Sequence, residues 1–326
     1  MVELKSYDWL EDAILTVCKK VFPLEPALTV HSIAQKQHRI FPHQDYDFLL
    51  QSPDAEFRLI LRLHYGMFSL WSGVEDIKTA KEFSVMRHAY QHGYPAPFPY
   101  CFSTRKMPFG RSYLIMDAGD GRRWWEMEGS LRAIQEETVD SLADQLAKLH
   151  ASVSPQHPLI PKIDVPKALK TLRSRSASLN ISDLDKALRV CGKAFETVGA
   201  ASTVLLHGTF EMDNTLLVHN RVRTVTNWEH AAIGDHRWDV AYASLALQQK
   251  GDRSLANRFV ARYVQQTGAS LENMDFWEGL IALRHYALGE WVRSLDERSF
   301  SVIAGMQTDL FDRLEAMRDR ALAQFG

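Results

Sequence analysis

Hydrophobic residues recur at two different spacings along the chain, and each spacing predicts its own type of element. Apolar residues at helical spacing predict helices over residues 7–21 and 76–92. Short apolar and β-prone runs, bounded by polar or proline-containing turns, predict strands around these helices. The predicted strands cover residues 28–33, 46–50, 57–63 and 112–116. The first third of the chain is therefore expected to form a small sheet with helices.

Helical spacing dominates the rest of the sequence. Residues 138–151 place Leu142, Leu146 and Leu149 on one face of a predicted helix. A β-hairpin is predicted over residues 216–226, and the four prolines within residues 152–166 indicate a connecting segment. Further helices are predicted near residues 182–199, 236–250, 253–267, 275–296 and 306–324. A small sheet is thus followed by a mainly helical region.

The composition narrows the class of protein. The chain has 326 residues, of which 46% are hydrophobic, so it can bury a large core in one large domain or two lobes. Its 38 basic and 40 acidic residues give a formal net charge of −2, so no overall field favours nucleic acid or an anionic membrane. The three cysteines are far apart and suit a reducing compartment, and the sequence shows neither a signal-peptide core nor a membrane-length apolar run. We expect a cytoplasmic protein that binds neither nucleic acid nor membrane.

Three motifs between residues 206 and 239 carry the candidate chemistry. The first reads L-H-G-T-F-E-M-D-N from Leu206, the second reads T-N-W-E-H from Thr226, and the third reads G-D-H-R-W-D and ends at Asp239. Together they resemble the aminoglycoside phosphotransferase and choline kinase-like family, whose members carry H-G-D-x-x-x-x-N, a short hairpin, a D-W-E segment and G-D-x-x-W-D. Three motifs in register are much more specific than a single motif.

The resemblance implies a bilobal, protein kinase-like α+β fold. A small antiparallel sheet plus helix would form the N-terminal lobe, residues 1–117. A larger, mainly helical C-terminal lobe, residues 118–326, would hold the catalytic-loop hairpin at 204–230. The resemblance also implies ATP and Mg²⁺ as cofactors and a hydroxylated small molecule as the phosphate acceptor. The segment 117–121 resembles the hinge between the lobes.

The resemblance also gives each site position a role. Arg62 and Glu82 would form an Arg–Glu pair between a strand and the next helix. Such a pair is often purely structural, so phosphate binding and a structural role are the two possibilities for Arg62. The residues at catalytic positions are His207, Thr209, Asn214 and Asn227. Those at metal-ligand positions are Asn214, Asn227 and, more weakly, Glu229. Those on the nucleotide side are Arg62, Glu82, Met116 and Asp117.

Three features depart from the family pattern. Thr209 stands at the catalytic aspartate, and an ordinary hydroxyl has no anionic form that could deprotonate an alcohol near neutral pH. Asn227 stands at the metal-binding aspartate and offers a neutral amide oxygen to a cation that prefers carboxylate. The segment 31–47, expected to fold over the phosphates, has no glycine, since the first glycine is Gly66. These departures together indicate a degenerate phosphotransferase.

Two classes of function follow. The first is a degenerate family member that acts by binding a nucleotide, a small molecule or a protein partner in the inherited cleft, with a small molecule favoured. The second is an atypical ATP-dependent kinase of a hydroxylated small molecule, in which Glu211, Asp213 or Glu229 stands in. An unrelated reaction in the cleft, and an engineered Asp→Asn change at position 227, are further alternatives. If the motifs align correctly, the side chains of Asn214 and Asn227 lie within about 8 Å of each other, as a shared metal site requires.

Overall fold

Two lobes follow each other along the chain. The structure, a computed structural model, describes residues 8–25, 27–36, 43–64, 78–127, 134–199, 202–250, 253–294 and 310–326. An antiparallel sheet with two helices forms the first lobe, and helices dominate the second. The bilobal α+β fold implied by the sequence resemblance is confirmed.

Five strands form the sheet of the first lobe, in the order β1–β2–β3–β5–β4, and every neighbouring pair is antiparallel. Four shorter strands in the second lobe form two pairs, β6 with β9 and β7 with β8. The strands are β1 (Thr29–Gln35), β2 (His43–Gln51), β3 (Glu56–His64), β4 (Pro99–Ser103), β5 (Tyr113–Asp117), β6 (Thr203–Leu206), β7 (Thr215–Val218), β8 (Arg221–Val225) and β9 (Ala232–Asp235). The helices are α1 (Asp8–Val21), α2 (Lys78–Gln91), α3 (Glu136–Ser152), α4 (Val165–Leu179), α5 (Ser182–Phe195), α6 (Arg237–Gln249), α7 (Arg253–Thr267), α8 (Met274–Arg293) and α9 (Leu310–Phe325).

The two faces of the sheet differ in character. Leu59, Leu61 and Leu63 of β3 are buried in the core that α1 shares with the sheet. Ile60 and Arg62 alternate with these leucines along the strand, so their side chains lie on the opposite face, where α2 packs. The register of the β2–β3 pair places Asp45 directly across from Arg62. The sheet therefore presents a polar stripe away from α1, and this stripe faces the second lobe.

The second lobe positions the catalytic motifs on a packed helical base. Helix α3 packs on α7, α6 packs on α7 and α8, and α8 packs on α9 and α5. Every residue from Arg237 to Leu247 on α6 is buried, so this helix runs through the interior and its Asp239 is held inside the protein. The β7–β8 hairpin lies against α3. No helix in the described ranges is both long and apolar enough to span a bilayer.

Sequence analysis did not predict β4, α4, β6 and β9. Prolines at 95, 97 and 99 follow the predicted helix 76–92 and are typical of a chain break, yet Pro99 begins β4 at the sheet edge, where a missing N–H removes no ladder bond. Helix α4 begins inside the predicted connection 152–166, because Asp164 accepts a hydrogen bond from the backbone N of Lys167 at 2.9 Å and Pro166 occupies the first turn. The predicted helix ends at 76–77, 295–296 and 306–309 lie outside the described residues.

Candidate functional site

The catalytic loop, residues 207–214, connects β6 to β7 and is held in place by hydrogen bonds from its backbone to α6. The backbone N–H groups of His207 and Gly208 donate to the two carboxylate oxygens of Asp239 at 2.7 and 2.8 Å. Gly208 has a φ of +84°, and a Cβ there would lie 2.2 Å from the carbonyl oxygen of His230. Only glycine fits this position. The spacing between the first and third motifs therefore has a local structural cause, because the carboxylate of Asp239 caps the tight turn at His207 and Gly208.

His207 supports the loop. It is fully buried, and its Nε2 donates to the carbonyl oxygen of Thr226 at 2.9 Å. Burial lowers the pKa of this imidazole, so the neutral form is favoured. Thr226 in turn donates from its backbone N to the carbonyl of Asn214 at 2.8 Å. These bonds bring the first and second motifs together.

Four side chains at the site form one continuous relay of hydrogen bonds. Arg62 donates from Nη2 to Oδ1 of Asn227 at 2.7 Å. Asn227 donates from Nδ2 to Oδ1 of Asn214 at 2.7 Å. Asn214 donates from Nδ2 to the carbonyl of Thr209 at 2.7 Å and approaches its hydroxyl at 3.4 Å. Asn214 and Asn227 therefore lie well within the predicted separation of about 8 Å, and their side chains are in direct contact.

Arg62 is the centre of a buried charge cluster. Its side chain donates from Nε and Nη2 to the carboxylate of Asp45 at 3.0 and 2.8 Å, and from Nη1 to Glu82 at 2.5 Å. The carboxylate of Glu229 lies 3.5 Å from Nη1. Arg62 is 1% exposed, and burial opposes its charge, but the carboxylates of Asp45 and Glu82 outweigh burial and raise the guanidinium pKa. Arg62 and Glu82 thus pair as predicted, with Asp45 as a second anion.

The carboxylates of this cluster differ in their proton affinity. Burial raises the pKa of Glu229, and the charge of Glu82 raises it further. For Glu82, burial is outweighed by the charge of Arg62 and by the nearby imidazole of His64, which together lower its pKa. His64 lies 3.1 Å from Glu82. Of the two glutamates, Glu229 therefore binds a proton more readily than Glu82.

Sequence analysis missed Asp45, His43 and His64. All three are buried and lie on the same face as Arg62, because His43 and Asp45 sit across from His64 and Arg62 in the β2–β3 register. A signal was present: residues 43–47 read H-Q-D-Y-D, which places His43, Asp45 and Asp47 at strand spacing on one face. Polar residues on the inner face of a strand indicate a buried polar site. Without the register, their partner could not be identified.

Asp213, a candidate substitute carboxylate, is already paired. Its Oδ1 accepts from Nε1 of Trp124 at 2.6 Å and lies 2.8 Å from Nζ of Lys250 at the end of α6. The Lys250 ammonium also lies 4.7 Å from the centre of the Trp124 ring. Arg123 donates to the backbone carbonyl of Asp213. Asp213 thus ties the catalytic loop to α6 and to the segment after the hinge.

The remaining predicted positions lie along the strand before the hinge. Met116 is buried in β5 and pairs with Ile60 of β3, and Asp117 accepts a hydrogen bond from the backbone N of Gly119 at 3.1 Å. Glu211 is 1% exposed within the catalytic loop. The glycine-free segment 31–47 covers β1 and the start of β2, and its residues 37–42 lie outside the described part of the chain.

The residues at the metal-ligand positions do not fit Mg²⁺. The side-chain oxygens of Asn214 and Asn227 each already accept a hydrogen bond, and the donor to Asn227 is the charged Arg62. A Mg²⁺ bound to Asn227 Oδ1 would have to displace the hydrogen bond from the Arg62 guanidinium, which is itself held in place by Asp45 and Glu82. Within the described ranges, no group of three or more His, Cys, Asp or Glu side chains is arranged to hold a metal ion.

Comparison with known proteins assigns the family. The sequence pattern of the phosphotransferase enzyme family matches residues 45–277, which is well over half of the chain. The chain belongs to the phosphotransferase enzyme family. The match includes Asp45, Arg62 and all three motifs between residues 206 and 239. No curated protein sequence matches the chain.

Solved structures share the fold at low sequence identity. A candidate aminoglycoside phosphotransferase from Ralstonia eutropha is 15% identical, with a TM-score of 0.66 over 96% of this chain and 97% of that one. The aminoglycoside phosphotransferase APH(4)-Ia, solved as a ternary complex with ADP and hygromycin B, is 15% identical, with a TM-score of 0.62 over 96% and 98%. An amicoumacin kinase in complex with AMP-PNP, Ca²⁺ and its antibiotic is 12% identical, with a TM-score of 0.60 over 92% and 93%. At such identities the likeness extends to the fold alone.

Proposed function

We propose that this chain is a phosphotransferase-family protein that has lost phosphoryl transfer and acts by binding a small molecule in the cleft between its lobes. The relay from Arg62 through Asn227 and Asn214 to Thr209 carries the proposal. In a working kinase these positions hold a metal, phosphates and the proton of the acceptor alcohol. In this chain the residues at these positions hydrogen-bond to one another, and Thr209 and Asn227 replace the two aspartates of the family pattern.

The atypical-kinase alternative needs a carboxylate that is free to act. Asp213 is held by Lys250 and Trp124, and a base that already accepts two strong donors is a poor acceptor for a substrate proton. Glu229 and Glu211 are 5% and 1% exposed, so a substrate hydroxyl has little access to either carboxylate. The geometry therefore favours the binding function over the kinase.

A titration with Mg·ATP, repeated in EDTA, tests the proposal. We expect no Mg²⁺-dependent ATP binding by calorimetry and no phosphate release or transfer with a panel of alcohols and aminoglycosides. Micromolar, Mg²⁺-dependent ATP binding would refute the proposal, and so would turnover that is abolished by Glu229→Ala or Asp213→Asn.

A gain-of-function experiment complements this titration. The double variant Thr209→Asp, Asn227→Asp returns two carboxylates to positions that contact Asn214 directly. We expect its Mg²⁺ affinity to rise, because carboxylates replace neutral oxygens. Turnover is not required, since Arg62 stays committed to Asp45 and Glu82. An unchanged Mg²⁺ affinity in a folded double variant would show that the site no longer has the geometry of a phosphotransferase.

A further inference from the structure

Three histidines meet where α2 of the first lobe touches the chain that follows α3. His88 lies in the last turn of α2 and His92 directly follows the helix, with 4.3 Å between their ring centres. The ring of His157 lies 5.1 Å from that of His88. His88 also donates from Nε2 to the carbonyl oxygen of Ser154 at 2.8 Å. These three rings and the bond to Ser154 form the histidine contact, which joins the two lobes.

The hydrogen bonds of the histidine contact distinguish its three rings. A carbonyl oxygen only accepts, so Nε2 of His88 carries a hydrogen whether that ring is neutral or charged. Nδ1 of His92 likewise donates to the carbonyl oxygen of His88 at 2.8 Å. His157 differs, because its Nδ1 accepts a hydrogen bond from the backbone N of Leu159 at 3.3 Å. Protonated His157 would carry hydrogen on both ring nitrogens and could not make this bond. The geometry therefore requires a neutral His157.

The surroundings of His157 also disfavour a proton. Burial lowers the pKa of His157, and the charge that His88 can carry lowers it further. Helix α3 adds a cation on the same side, because Lys148 donates from Nζ to the carbonyl oxygen of Gly93, which follows His92.

The carboxylates of the elements packed on α2 do not offset these effects on the pKa of His157. The charged and titratable side chains of these elements are Lys78, Lys81, Glu82, Arg87 and Tyr90 of α2 itself, Tyr100 and Cys101 of β4, Asp117 of β5, Glu229 and His230 of the turn Trp228–His230, and Lys148 of α3.

The histidine contact lies between two elements that position the candidate site. Helix α2 carries Glu82 of the buried charge cluster. After His157 the chain returns to β9, where Ile233 donates from its backbone N to the carbonyl of Pro161 at 2.8 Å and accepts from the backbone N of Ile163 at 2.8 Å. Ile233 directly precedes the third motif. A change at the contact is therefore linked by direct bonds to both lobes.

We propose that the histidine contact is a proton-sensitive switch between α2 and the second lobe, which neutral His157 holds closed and protonated His157 opens. In mild acid the bond to Leu159 is lost, and the new positive charge adds to that of Lys148 and of any protonated neighbour. The C-terminal turn of α2 then loosens from residues 154–157. The switch uses no residue of the three catalytic motifs, so it is independent of the proposed function.

Hydrogen–deuterium exchange followed by mass spectrometry tests the switch, at about pH 7.5 and about pH 5.5, on either side of the range in which histidine titrates. Rates are corrected for the intrinsic pH dependence of exchange. His157→Asn keeps an oxygen that can accept from the backbone N two residues on, but it cannot titrate. His88→Gln keeps a donor for the Ser154 carbonyl. His31→Gln is the matched control, because His31 is an exposed histidine on β1.

In the parent we expect corrected exchange of residues 86–94 and 154–160 to be about two- to tenfold faster in acid, as the loss of one ordinary hydrogen bond implies. Helix α5, which contains no histidine, is the internal reference and should not change. His157→Asn should abolish the acid response, His88→Gln should reduce it, and His31→Gln should leave it unaltered.

Equal corrected exchange at the two pH values in the parent would overturn the inference. The same acid response in His157→Asn would do so too, and an equal rise in α5 would show global unfolding instead of a local switch. If His157→Asn fails to fold, His88→Gln decides, because an undiminished acid response in that variant contradicts the role of the paired rings.

Discussion

Replacing Arg62 by methionine separates a structural role from a ligand-binding role. In a phosphotransferase that uses this position for phosphate contact, the change weakens nucleotide binding and leaves the fold largely intact. Here the guanidinium makes four hydrogen bonds to Asp45, Glu82 and Asn227 within a site that is almost inaccessible to water. Methionine keeps much of the aliphatic volume and removes all four donors. We therefore expect the main effect to be on stability.

The magnitude follows from what remains after the change. Asp45 and Glu82 are 1% and 0% exposed, so both carboxylates would lose their cation without gaining water. Removing one partner of a buried ion pair costs about 3–5 kcal/mol. Arg58 offers the contrast on the same strand, since its side chain is 57% exposed and pairs with Asp47 alone. An exposed pair of this kind contributes about 0–1 kcal/mol.

Urea unfolding and thermal unfolding of Arg62→Met and Arg58→Met provide the assay. For domains of 150–250 residues, 1 kcal/mol shifts the midpoint by about 2–4 °C, so Arg62→Met should melt roughly 5–20 °C lower and Arg58→Met only a few degrees lower. Adding Asp45→Asn to Arg62→Met should recover part of the loss, because a buried charge is removed with its partner. Equal destabilisation by the two methionine variants would refute the reasoning.

Three further changes test other parts of the structure. Gly208→Ala should destabilise the protein and reduce the soluble yield, since its Cβ would lie 2.2 Å from the His230 carbonyl; an unchanged melting midpoint would contradict the loop geometry. Lys250→Met should cost about 3 kcal/mol by leaving the carboxylate of Asp213 buried without its cation, and adding Asp213→Asn should cancel much of this cost in a double-mutant cycle. Burial lowers the pKa of His157 below its usual 6.5, so the unfolded chain binds more protons than the folded protein near that pH, and the free energy of unfolding falls as the pH is lowered. His157→Gln should therefore make the free energy of unfolding less dependent on pH between about pH 5 and 7. An unaltered pH dependence would contradict the lowered pKa of His157.

The fold was predictable from sequence where patterns were local. The helices α1, α2 and α3 and the strands β2, β3 and β5 follow directly from apolar spacing. The motif spacing also placed Asn214 next to Asn227, which the side-chain contact of 2.7 Å confirms. Strand β4 and helix α4 escaped prediction because prolines were taken as breaks. Strand β4 begins at Pro99 and Pro166 lies in the first turn of α4, and at both positions a missing N–H removes no required bond.

The composition of the buried cluster was not predictable, because it depends on strand register. Asp45 and Arg62 are 17 residues apart and meet only through the pairing of β2 with β3. The ion pair between Lys250 and Asp213 likewise depends on how α6 packs beneath the catalytic loop. Motif reasoning identifies residues that chemistry requires in every family member. It does not identify the partners that one chain has acquired, and these partners decide here whether a carboxylate is available.

Asn227 fits both of its hydrogen-bond partners, Asn214 and Arg62. An aspartate at position 227 could accept a hydrogen bond from Arg62 but could not donate one to Asn214. The amide of Asn214 would then have to rotate, and it would release the carbonyl of Thr209 that it now binds. A single return to aspartate at 227 therefore breaks the relay before any metal is bound. Asn227 and Asn214 are therefore coupled, and this coupling is why the restoring experiment measures metal affinity before turnover.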